Sequence, residues 1–183
     1  MKITFVSGKG GVGKSTLCYL TGLSLRDAGK TVSIEDRDPQ RSISSWIDHE
    51  RDGFSNPEAD FDLIDTRPAL DDESVSRAIQ EADRVIMPCT PSPGDLTAAR
   101  ATIQVVRGLM RKGARAYLVL NRVKSGTNFS IEAPETLRTF NTSVMNTEIP
   151  ERQCIQRAVL LGWRGLDSKT QGTILKLALE VLS

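Results

Sequence analysis

The chain has 183 residues, 39% of them hydrophobic and 26% charged, with 24 Lys and Arg against 23 Asp and Glu. That length is expected to form one domain over residues 1–183, with a core large enough to need neither disulfides nor a structural metal. A net charge of +1 gives no overall field for nucleic acid, so any DNA contact must come from a local patch. Cys18, Cys89 and Cys154 are odd in number, far apart and without a C-x-x-C, which reads as buried thiols in a reducing compartment. With no signal-peptide pattern at the N-terminus and no apolar run of membrane-spanning length, a cytoplasmic protein is expected.

The elements alternate. Ile3-Thr4-Phe5-Val6 is a β-branched and aromatic run suited to a buried strand, and Leu17, Leu20, Leu23 and Leu25 follow at helical spacing up to an Ala28-Gly29-Lys30 stop. Thr31–Ile34 begins a second strand, residues 40–47 a short helix with Ile43, Trp46 and Ile47 on one face, and Arg51–Asp60 a polar loop. Strands are expected at 61–65, 84–87 (closed by Pro88) and 116–120, with a weak one at 143–149. Helices are expected at 71–82, 97–112, 130–140 and 168–182. Strands alternating with helices predict an α/β fold, a mainly parallel twisted sheet flanked by helices on both faces.

Between the first strand and first helix lies Gly8-Lys9-Gly10-Gly11-Val12-Gly13-Lys14-Ser15-Thr16. From Gly8 this is G-x-x-x-x-G-K-S, a phosphate-binding loop whose backbone N–H groups turn inward around a polyphosphate. Lys14 is expected to reach the β- and γ-phosphates and the Ser15 hydroxyl to ligate Mg²⁺. The helix N-terminus adds its own affinity for anions. Asp36-Arg37-Asp38-Pro39-Gln40 follows the second strand and Asp65-Thr66-Arg67-Pro68 the third, where open α/β sheets place their ligands. Asp65, ending an apolar run, suits a carboxylate that holds Mg²⁺, and Asp38 suits the group that positions an attacking water.

A second lysine, Lys9, just after the first glycine makes the loop resemble the deviant Walker A loop of the ParA/MinD family of ATPases. The resemblance implies that Lys9 crosses a nucleotide-sandwich homodimer to the phosphates of the other subunit. Asp36, Asp38, Pro39 and Gln40 resemble that family's switch I, which implies contact of Asp38 with the Mg²⁺ shell, and Asp65-Thr66 resembles its Walker B and switch II. Arg67 departs from the usual D-T-P-P. Pro91-Ser92-Pro93 with Asp95 and Leu96 is similar to the P-x-P segment of small ParF-like partition ATPases. Asn121-Arg122 resembles the base-side N-R, and Glu148–Arg152 the segment that frames adenine, with Pro150 and Arg152. The resemblance thus implies a nucleotide site of Gly10, Gly11, Val12, Gly13, Lys14, Ser15, Thr16, Asn121, Arg122, Pro150 and Arg152. Asn121-Arg122-Val123-Lys124 lacks the Asp of a guanine-reading N-K-x-D, so ATP is favoured.

The resemblance implies ATP and Mg²⁺ as cofactors and a dimer that binds non-specific DNA or self-assembles. A ParB-type partner would stimulate hydrolysis and reset the monomer. The same loop serves equally for positioning a protein cluster or membrane complex, and a small-molecule ligase or kinase of this fold stays open. Electron transfer or metal delivery would need paired cysteines. Residues 173–182 are apolar nearly all round instead of carrying a basic face, which reads as a docked core helix and not a membrane-surface one. Arg107, Arg111, Lys112 and Arg115, with Arg138, Arg157, Arg164, Lys169 and Lys176, form either a DNA-backbone stripe or scattered solvated charge. His49 reads as a surface residue, and Trp46 and Trp163 as packing residues.

Overall fold

The computed structural model describes residues 1–47, 53, 54, 56 and 58–183, with the backbone alone for 128–131. The expectation for His49, and much of that for the 51–60 loop, lies outside the described residues. Six strands form one sheet: β1 (Lys2–Phe5), β2 (Val32–Asp36), β3 (Phe61–Asp65), β4 (Arg84–Cys89), β5 (Arg115–Leu120) and β6 (Ser143–Val144). Their order is β2-β3-β1-β4-β5-β6, with every neighbouring pair parallel. Seven α-helices are described: α1 (Lys14–Asp27), α2 (Ser42–Trp46), α3 (Glu73–Glu81), α4 (Pro93–Leu109), α5 (Asn128–Arg138), α6 (Gln153–Leu161) and α7 (Ser168–Leu182).

Side chains alternate across a strand, so a sheet covered on both faces needs apolar residues in both phases. Ile3 and Phe5 of β1, Leu63 of β3, Ile86 of β4 and Val119 of β5 enter a core with α1, α6 and α7. Val85, Met87, Leu118 and Leu120 enter the opposite one, with α3, α4 and α5. Thr4 is buried on that second face and donates through Oγ1 to the Ala78 carbonyl of α3 at 3.0 Å.

The differences from the sequence pattern have local causes. Pro88 lies inside β4, not beyond it; β1 pairs with β4 only as far as Phe5 opposite Ile86, so a proline there removes no ladder bond on that side. Helix α4 starts four residues earlier than expected, because Ser92 caps it, accepting from the Asp95 N–H at 3.3 Å, and Pro93 takes the first position. The 143–149 strand shrinks to two residues, and an isolated bridge joins Val123 to Pro150. Helix α6, followed by a 3₁₀ turn at Gly162–Gly165, was not expected.

Helix α7 docks on α1 through Ile174, Leu177, Ala178 and Val181, as a core helix should. Leu175 and Leu179, however, stay exposed. Of the nine basic residues read as a stripe or as scattered charge, three are tied internally. Arg107 donates to the Phe140 carbonyl, Arg111 to the Ala82 carbonyl and to Asp83, and Arg115 to the Ser183 carbonyl.

Candidate functional site

The carboxyl ends of β1 to β5 converge on one edge of the sheet, where a doubly wound fold leaves a crevice. The loop from β1 into α1 occupies its centre. Gly11 has φ +82 and Gly13 φ +90, a left-handed backbone that costs other residues energy. A Cβ on Gly13 would also overlap the amide nitrogen of Asn121. That amide donates to the Val12 carbonyl at 2.7 Å and is buried. In this structure Asn121, read from the sequence as a base contact, clamps the loop from the end of β5. The Ser7 hydroxyl steadies the other end, donating to the Lys9 carbonyl at 2.8 Å and accepting from the Lys9 N–H at 3.1 Å.

The charges follow. Lys14, 6% exposed, donates to Asp65 Oδ1 at 2.9 Å and to the Thr66 carbonyl. Asp65 is fully buried, and its Oδ2 has no partner. Burial pushes its carboxyl above the ordinary value; Lys14 and Ser15 beside it offset only part of that. Thr66 donates to the Phe5 carbonyl at 2.9 Å, fixing the end of β3 against β1. Asp36 braces the next turn, accepting from the Asp38 N–H at 3.1 Å and from the Ser44 N–H at 2.9 Å. Asp38 is nearly buried and accepts from the Gln40 N–H at 2.9 Å. Arg41, which starts α2, is a non-glycine residue at φ 49, an uncommon backbone that turns the chain back over the cleft.

The resulting cleft, about 340 Å³, is lined by the whole of Lys9–Thr16 with Asp38, Gln40, Ser42, Trp46, Pro68 and Arg122. Its size suits a small ligand, and its lining of turned-in glycine backbone and a buried lysine suits a polyphosphate. The expected base-side residues Asn121, Arg122, Pro150 and Arg152 meet Gly13 and Thr16 around a second, smaller cleft. Arg152 there donates to Asp167 at 3.2 Å. Arg67 turns to Asp72, 2.9 Å away, and Trp46 packs near Tyr19 with ring centroids 6.0 Å apart.

For the cation, the donors are hard oxygens: the Ser15 hydroxyl, the unpartnered Oδ2 of Asp65, and Asp38 across the cleft. Such a set suits Mg²⁺, which keeps several waters and takes few protein ligands. Among the described residues no cluster of three His, Cys, Asp or Glu stands ready to hold a metal. Two of the three cysteines, Cys18 and Cys89, are buried; burial raises both thiols, Cys89 to about 12, and neither faces chemistry.

Lys9 has a partner that the sequence did not suggest. Its ammonium, half exposed, is ion-paired with Asp95 in the first turn of α4, and Asp95 also accepts from the Thr90 hydroxyl.

This fold and loop define a P-loop nucleotide-binding protein. Residues 3–162 match the family described as the CobQ/CobB/MinD/ParA nucleotide binding domain. The chain belongs to that family, whose ParA/MinD members are nucleotide-binding ATPases. It is 28% identical over 91% of its length to the maintenance of carboxysome distribution protein A of Gloeobacter kilaueensis, covering 87% of that protein. Its counterpart in Halothiobacillus neapolitanus is 27% identical over 84% of this chain and 81% of its own. Among solved structures, a Borrelia burgdorferi protein described as a candidate plasmid partition protein, bound to AMPPNP, superposes with TM-score 0.78 at 20% identity, over 99% of this chain and 97% of that one. The MinD protein of Pyrococcus horikoshii with Mg-ADP gives 0.72 at 19% identity, over 98% and 95%.

Proposed function

We propose that this chain is a ParA-type positioning ATPase, in which ATP and Mg²⁺ drive a sandwich dimer and hydrolysis returns it to the monomer. The observation that carries the reading is the meeting of Lys9, Lys14 and Asp38 at one glycine-lined cleft, with the buried Asp65 ion-paired to Lys14. In-line attack of water on a γ-phosphate needs positioning and charge neutralisation, not covalent chemistry. Lys14 serves the phosphates of its own subunit and Lys9 those of the partner. Ser15 and Asp65 would hold the cation, with Asp38 touching its shell, and the cation when bound would supply charge neutralisation. Asp38 positions the water. Pro150, Arg152 and Arg122 frame the base side, and Asn121 clamps the loop beside them.

Two cargoes compete. The first is DNA, held non-specifically by the dimer and released through a ParB-type partner. The second is a protein cluster, and the relatives named for carboxysome distribution, which cover 91% and 84% of this chain, support it. The relative named Protein ParA, from Rhizobium radiobacter, covers 57% at 29% identity. We favour the protein-cluster cargo.

The test is solution mass by light scattering with ADP, then with a non-hydrolysable ATP analogue and Mg²⁺. A dimer only with the analogue is expected. Lys9→Ala should still bind nucleotide but stay monomeric, and Asp38→Ala should dimerise in ATP and fail to turn over. A mass that ignores nucleotide would reject the switch and bring the small-molecule enzyme forward.

A further inference from the structure

We propose that Asp95 is a latch for Lys9: its carboxylate holds the ammonium within its own subunit and must release it before the lysine reaches a phosphate bound by a second copy of this chain. The inference rests on the crossing role of Lys9 proposed above.

Lys9 is parked where a cation is not at home. Its ammonium lies over the N-terminus of α4, so close that a Cβ added to Gly94 would sit 3.5 Å from Nζ. A helix N-terminus carries the positive end of the macrodipole and repels a cation. Something must therefore hold Lys9 there, and Asp95 is the acidic residue of that first turn. The side chain of Asp95 is only 11% exposed, against 50% for that of Lys9. Thr90 donates to its second oxygen and Ser92 caps its N–H. Burial alone pushes the Asp95 carboxyl up, but the bonds from Lys9, Thr90 and Ser92 outweigh it and hold it below the ordinary range. The carboxylate is thus a fixed, charged receptor, whereas the lysine is the mobile half.

The backbone of Lys9 does not need to move. Ser7 pins both its N–H and its carbonyl, so departure is a rotation of the side chain alone. Competition then sets the switch. A single carboxylate holds Lys9 when the facing subunit is empty, and a polyphosphate with several negative charges draws it away when that subunit is loaded. The cavity of about 400 Å³ in front of the loop, bordered by Lys9, Gly10, Gly11, Thr90 and Asp95, gives the side chain room to turn.

The dimer's dissociation constant should therefore contain the cost of breaking two latches. A half-exposed ion pair is worth about twofold to fivefold, so losing both should tighten the dimer on the order of fourfold to twenty-five-fold. Asp95→Asn keeps the shape and hydrogen-bonding capacity of the turn and removes the charge. Asp95→Ser, also favourable near a helix N-terminus, covers the case in which the amide disturbs α4. The measurement is the dimer dissociation constant by sedimentation with a non-hydrolysable ATP analogue and Mg²⁺. Alongside it, the rate of Lys9 acylation by an amine-reactive ester is read by peptide mass in the ADP state.

Tighter dimers and faster Lys9 labelling in either folded variant are expected. A dimer unchanged or weakened would overturn the latch, leaving Asp95 as a helix-capping acid or a pre-organiser of Lys9. If Lys9→Ala still dimerises with the analogue, the crossing role of Lys9 fails first, and the latch falls with it.

Discussion

Asn121 offers the sharpest separation between a residue that touches the nucleotide and one that shapes the loop around it. Its amide nitrogen lies 2.7 Å from the Val12 carbonyl, buried, and occupies the space that a side chain at Gly13 would fill. Asn121→Asp keeps the shape but points a carboxylate oxygen at a carbonyl oxygen. The Val12 carbonyl then loses its donor inside the protein, which costs about 1–3 kcal/mol. Expressed wholly in the loop, that weakens phosphate binding by roughly fivefold to a hundredfold, at about 1.4 kcal/mol per factor of ten. Urea unfolding reads the stability loss, and calorimetry reads binding of an ATP analogue and of tripolyphosphate. A strut predicts that both ligands weaken by the same factor, because tripolyphosphate has no base to lose. Wild-type stability with undiminished tripolyphosphate binding would refute the strut and return Asn121 to the base.

Two further outcomes test the scaffold. Gly13 and Gly113 share φ +90, but a Cβ at Gly13 overlaps Asn121 and one at Gly113 meets nothing within 4 Å. Gly113→Ala should cost about 1–2 kcal/mol of backbone strain and Gly13→Ala clearly more, with loss of nucleotide binding; equal melting temperatures would refute the overlap. Asp167 caps α7, accepting from the Thr170 N–H at 2.7 Å, and that bond with the nearby hydroxyl pulls its carboxyl down from 3.8 to about 2. A carboxyl lowered by folding stabilises above its unfolded value and loses that contribution as pH falls through its folded one. Acid titration should therefore weaken the fold between about pH 4 and 2, and Asp167→Asn should flatten that part of the curve.

What was legible in the sequence is what lies close together in the chain. The loop Gly8–Thr16 needs only its spacing and its flanking strand and helix, and Asp65 needs only an apolar run before it. Lys9 to Asp95 spans 86 residues and Asn121 to Val12 spans 109, and no local pattern encodes such pairings. Helix α6 was hidden for another reason. Only Ala158 of it is fully buried, while Leu160 is 74% exposed and Leu161 49%, so its apolar residues do not keep to one face. Helix α4 did announce its start, through the cap Ser92 and the first-turn Pro93.

The charges of the site explain why phosphate and cation should arrive together. Lys14 now spends its ammonium on Asp65 and the Thr66 carbonyl, and binding a phosphate requires it to turn away. Asp65 would then be left fully buried with Oδ1 bare as well as Oδ2. An unpaired buried charge costs several kcal/mol, so phosphate binding without a compensating cation is opposed by the Asp65 carboxylate itself. Nucleotide affinity should accordingly fall at least about tenfold when EDTA removes Mg²⁺, a modest share of that penalty. Asp65→Asn removes the charge that needs answering, so its affinity in EDTA should exceed that of the unaltered chain, and its Mg²⁺ response should shrink. The assay is fluorescent-nucleotide titration with and without EDTA, with circular dichroism to confirm that the variant folds. If Asp65→Asn binds in EDTA no better than the unaltered chain, the carboxylate is not what couples the two ligands, and the cation acts through the phosphates alone.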